Sequence, residues 1–61
     1  MEYDKSGFPK RIVDMLAEVI HDKWREDNKN EKTLPYYRLH DDIKEHNRVW
    51  ARKLLRNLFQ Q

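Results

Sequence analysis

Ile12-Val13-Asp14-Met15-Leu16-Ala17-Glu18-Val19-Ile20-His21-Asp22-Lys23-Trp24 sets its apolar side chains three and four residues apart. That spacing belongs to one face of a helix. Pro9 suits a first helical turn, where its missing N–H costs nothing. A first helix is therefore predicted from about Pro9 to about Asp27. The polar run Asn28-Lys29-Asn30-Glu31-Lys32 has no periodicity and reads as a loop. Pro35 biases Leu34 toward an extended backbone, so Thr33 to Tyr37 should form a short crossing segment. Leu34 and one tyrosine of that segment should point inward. A second helix should begin near Leu39, with Asp41 and Asp42 in the first turn, where carboxylates favour the positive dipole end. Leu39, Ile43, Trp50, Leu54 and Leu58 mark its apolar face. The fold class expected is mostly α: two long helices joined by a short extended, proline-containing crossing segment.

At 61 residues the chain has room for one domain. Residues 1–8 read as a mobile polar arm and 9–61 as a single small helical domain. Such a domain buries only roughly 60% of the surface its unfolded chain exposes. The chain has no cysteine, so no disulfide or thiolate–metal site reinforces it. Hydrophobic residues make up 38% and charged residues 39%, so the core must be thin. Trp24, Trp50, Phe8, Phe59, Tyr36 and Tyr37 are its expected heavy members. Sharing apolar surface with a second copy is a common remedy, which makes a homo-oligomer the expectation. No apolar run approaches membrane-spanning length and no signal-peptide stretch opens the chain. A soluble, cytoplasmic protein without membrane partners is expected.

The charges segregate. Asp14, Glu18, Asp22 and Glu26 lie four apart on the first helix, and Lys44, Arg48, Arg52 and Arg56 lie four apart on the second. Each set forms a ridge. One reading pairs the ridges across an antiparallel seam, as partly exposed ion pairs each worth roughly 0–1 kcal/mol. Another leaves the basic ridge free for phosphates, which guanidinium groups hold in a two-pronged way. A third uses the ridges between subunits. The net charge of +2 does not by itself imply nucleic acid.

Catalytic constellations do not assemble. The only serine is Ser6 in the arm, and the only glycine is Gly7, which excludes a phosphate-cradling glycine loop. Asp41 and Asp42 are adjacent and serve the helix start rather than a substrate cleft. Asp42 and His46 share a helix face, but no third metal ligand accompanies them. No enzyme, cofactor or metal is expected. Tyr36 and Tyr37 beside Arg38 offer rings on which a base could stack, and Trp24 ends the first helix close to the returning segment. The alternative for Trp24 and Tyr36 is that both fill the core.

The words Leu16-Ala17-Glu18, His21 and Trp24, then Leu34-Pro35-Tyr36-Tyr37-Arg38-Leu39, then Lys44-Glu45-His46-Asn47-Arg48 together resemble the ryanodine-receptor repeat domain. The resemblance spans about Ile12 to Leu58. It departs where family members carry a longer, glycine- and aromatic-rich connection, and where His46 and Asn47 replace the family's tyrosine and aspartate. It implies a non-catalytic module, a short free-standing member of bacterial or phage type. Similar domains are associated with sensing nucleotide-derived signals in antiviral systems, as sensors or as sponges.

The function expected from these readings is binding of a phosphorylated small molecule, a nucleotide or nucleotide-derived signal. Trp24, Tyr36 or Tyr37 would stack on the base. Lys44, Arg48 and Arg52 would hold phosphates, and His21 would support the pocket. The alternatives are a protein–protein interaction or oligomerisation module, using Trp50, Leu58 and Phe59, and a basic nucleic-acid-binding regulator.

Overall fold

A computed structural model describes residues 2–29 and 32–60. Helix α1 spans Lys10–Asp27 and helix α2 spans Asp41–Phe59. A 3-10 turn, Tyr36–Arg38, lies between them, and no strand occurs among the described residues. The helices are antiparallel: Phe8, just before α1, stacks on Phe59 at the end of α2, with ring centroids 5.9 Å apart. Asn30 and Glu31, the middle of the expected loop, lie outside the described residues.

Both helix starts follow local chemistry. The Pro9 carbonyl accepts the amides of Ile12 and Val13, so the proline stands just before the first helical residue. The His40 carbonyl does the same for Ile43 and Lys44, and Asp41 and Asp42 occupy the first turn of α2. At the end of α1, the Asn28 side chain donates to the Trp24 carbonyl at 2.8 Å. That satisfies one of the carbonyls a helix end leaves open.

The crossing segment differs in detail from the extended strip expected. Pro35 is extended (ψ 155°), but the chain then coils at once. The Arg38 and Leu39 amides bond to the Pro35 and Tyr36 carbonyls, so α2 begins at Asp41 rather than near Leu39. A proline-fixed φ close to −65° suits entry into such a turn. The turn buries Tyr36 and leaves Tyr37 73% exposed, so one tyrosine does point inward. Leu34 does not: its side chain is half exposed, and its carbonyl turns inward to the His21 ring, 2.7 Å from Nε2.

The core is built from small residues. Val13, Ala17, Tyr36, Ala51 and Leu55 are buried, with Phe8, Leu16, Ile20 and Leu39 packed around them. Ala17 and Ala51 are wholly buried, and two alanines at a seam allow close approach of the backbones. Of the heavy aromatics expected inside, Tyr36 is buried and Phe8 packs partly buried against the core. Trp24 is 45% exposed and Trp50 50%, and Tyr37 and Phe59 are more open still. The tryptophans lie along the edge of the seam.

The N-terminal arm is folded rather than free. Asp4 and Phe8 bond through their backbones, Lys10 donates to the Glu2 carbonyl, and Gly7 closes the turn at φ 88°. Only glycine takes that φ without strain.

Candidate functional site

Helix geometry gives the hairpin two unlike faces. On one, α2 presents Glu45, Arg48 and Arg52 beside Asp14 of α1. Arg52 donates from Nε to Asp4 Oδ2 (2.6 Å), from Nη1 to Glu45 Oε2 (2.7 Å) and from Nη2 to Glu45 Oε1 (3.4 Å). Arg48 donates from Nε to Asp14 Oδ1 (2.8 Å) and reaches Glu45 Oε1 at 3.4 Å. The Tyr36 hydroxyl donates to the same Asp14 oxygen at 3.1 Å. The Asp4 and Arg52 side chains are 7% and 8% exposed, so this pair is out of water.

The titration behaviour follows from these contacts. Burial alone pushes the Asp4 carboxyl up, but hydrogen bonds from Arg52 and Ser6 outweigh it and hold the group at about 2. The Arg52 hydrogen bond likewise brings Glu45 down to about 2 against its partial burial. Burial drives the Tyr36 hydroxyl up to about 12, assisted by the Asp14 carboxylate and opposed by Arg48. The carboxylates raise both guanidinium groups above their ordinary value, through Asp14 for Arg48 and first through Glu45 for Arg52.

The two charge ridges therefore meet directly at Asp14–Arg48. Arg52 takes its partners from outside the acidic ridge, Asp4 from the arm and Glu45 from α2 itself. The Glu45 contact had a sequence signal, since positions 45, 48 and 52 share one side of a helix. The Asp4 contact had none, because it joins residues 48 apart through a turn that only the folded chain makes.

The opposite face is apolar and open. Ile20, His21 and Trp24 of α1 and Ile43, Asn47 and Trp50 of α2 line a shallow groove of about 360 Å³, with His46 at its rim. Trp24 stacks on the His21 ring at 5.8 Å and 16°, and Lys53 Nζ lies 4.9 Å above the Trp50 ring. Leu54 and Leu58 continue the α2 stripe at four-residue steps and are exposed.

The residues expected to bind a ligand are divided by this arrangement. Tyr36, Tyr37, Lys44 and Arg48 line one concave surface of about 350 Å³, which also contains Arg11, Asp14 and Glu18. Lys44 Nζ stands 5.7 Å from the centre of the Tyr36 ring. Arg52 belongs to a neighbouring hollow of about 310 Å³ with Asp4, Glu45 and Arg48. Trp24 and His21 line the apolar groove instead, and the His21 contact with the Leu34 carbonyl ties the crossing segment to α1. Trp50, Ile43 and Leu54, expected on a core face, are half exposed and belong to the surface. No described helix is long and apolar enough to cross a membrane. Comparison of the chain with protein-family models, with curated proteins and with solved structures gives no match.

Proposed function

We propose that the chain is a non-catalytic association module, a helical hairpin whose apolar face is covered by the same face of a second copy. The observation that carries this reading is the contrast between the faces. Arg48 and Arg52, the arginines expected to hold phosphates, already hold carboxylates, while both tryptophans stand half open on the other side. Trp24, Trp50, Ile43, Leu54 and Leu58 together leave on the order of 600 Å² of side chain uncovered, at the upper end of what monomers expose and most of the ~800 Å² per partner of a stable interface. A five-residue buried core in a chain without cysteines gains stability from that cover.

Sedimentation velocity across a concentration series tests it. The wild type should pass from monomer to dimer, and Trp50→Glu should remain monomeric with its helical circular dichroism intact. A wild type that stays monomeric up to millimolar concentration overturns the proposal.

A second reading keeps the anionic small-molecule ligand, supported by the surface that joins Tyr36, Tyr37, Lys44 and Arg48 and by the resemblance to ryanodine-receptor repeats. Among the described residues, Lys44 has no carboxylate within ion-pair distance, and Tyr37 is exposed. Thermal-shift screening against cyclic and linear nucleotides tests this reading. Stabilisation that disappears in Tyr37→Ala and Lys44→Ala supports it, and no shift with any nucleotide removes it.

A further inference from the structure

Resting on the self-association proposed above, we infer that the two copies pair α2 against α2 in antiparallel fashion, about a two-fold axis crossing the helix between Arg48 and Val49. Three features of this helix lead there. The first is spacing. Ile43, Asn47, Trp50 and Leu54 are separated by four, three and four residues, a pattern that reads identically in both directions. An axis at its midpoint sets Ile43 against the partner copy's Leu54, and Asn47 against the partner copy's Trp50.

The second is shape. The groove framed by Trp24, Ile43 and Trp50 lies at one end of the apolar face, and Leu54 and Leu58 stand at the other. Antiparallel pairing seats the leucines of each copy in the groove of the other. Parallel pairing stacks indoles on indoles and leaves both grooves empty. Seating a branched aliphatic side chain in a preformed hollow is the self-complementary contact an isologous interface requires.

The third is charge. Asp41 and Asp42 open α2, and no acidic residue follows Glu45, while Lys53 and Arg56 lie toward its end. Asp42 and Lys53 are both exposed on the outer flank of the stripe. Antiparallel pairing brings Asp42 beside the partner copy's Lys53, twice per dimer, and opposes the helix dipoles. Parallel pairing keeps Asp42 and Lys53 at opposite ends of the interface and aligns the helix dipoles. Rim charges of this kind govern which arrangement forms more than how tightly it holds.

Disulfide mapping reads the arrangement directly, because the natural chain has no cysteine to interfere. Ile43 and Leu54 are half exposed, so the double variant Ile43→Cys/Leu54→Cys leaves the core untouched. After mild oxidation, peptide mass mapping should find position 43 of one copy joined to position 54 of the other. Links of 43 to 43 and 54 to 54 overturn the antiparallel pairing while leaving self-association standing. Charge exchange gives a second measurement on an unoxidised protein. Lys53→Glu and Asp42→Lys should each weaken dimerisation about tenfold, and the double exchange should recover most of that loss. A double variant no tighter than either single one overturns the inference. A wild type that never dimerises removes both this pairing and the reading beneath it.

Discussion

The two long faces of this hairpin handle their side chains in opposite ways. The charged face closes on itself: Asp4, Asp14 and Glu45 meet Arg48 and Arg52, and Tyr36 completes the set. The apolar face stays open, with Trp24 and Trp50 at the edge of a seam made mostly of alanine, valine and leucine. Asp4 and Arg52, which ordinarily seek water, have been withdrawn from it, and two tryptophans, which ordinarily avoid it, have been left half outside. A buried charge pair adds little net stability, but removing one partner strands the other at a high cost. An open apolar face adds nothing until a partner covers it. The charged contacts therefore tie the arm and the crossing segment to the hairpin, and the apolar face stays open to solvent.

The sharpest way to break this contrast is at Asp4. Asp4→Ala leaves the Arg52 guanidinium buried with one carboxylate fewer, and unfolding free energy should fall by about 3 kcal/mol, read from urea midpoints. A loss similar to that of an exposed ion pair would mean the arm does not anchor the fold. The seam should be nearly as sensitive. Ala51→Leu places a branched side chain where none fits, and about 2 kcal/mol should be lost in the same measurement.

Acid titration sharpens the picture further. Asp4 and Glu45 are held at about 2 in the folded chain, below their ordinary values of 3.8 and 4.5. A depressed folded value means stabilisation that is complete above the unfolded value and lost as pH falls toward the folded one. Stability should therefore be steady above about pH 4.5 and decline toward pH 2. Asp4→Asn should flatten part of that decline. An equally steep decline in the variant would assign the effect to other carboxylates.

The smallest effects should come from single contacts at the border of the charged face and from the open face. Tyr36→Phe removes the hydrogen bond to Asp14 and should cost about 1 kcal/mol, whereas Tyr37→Ala, one residue along, should stay within about 0.5 kcal/mol. Trp50→Ser should likewise change the stability of the isolated monomer by under about 1 kcal/mol. A large loss at Trp50 in dilute solution would place it in the core and erase the distinction between the faces.

The two helices, the break at Pro35 and the single inward tyrosine of the crossing segment were readable from local sequence. Each depends on residues a few positions apart: apolar spacing, a proline-fixed φ, carboxylates in a first turn. That the two ridges could meet was legible as one of three readings; that Asp14 and Arg48 are the residues that do so came from the fold. That Asp4 rather than the acidic ridge completes Arg52, and that the tryptophans stand half outside, emerges from long-range packing alone. Periodicity defines an apolar stripe wider than the seam that uses it. Which part of the stripe is buried depends on which residues meet at the seam, and Ala17 and Ala51 fill it while the tryptophans flank it.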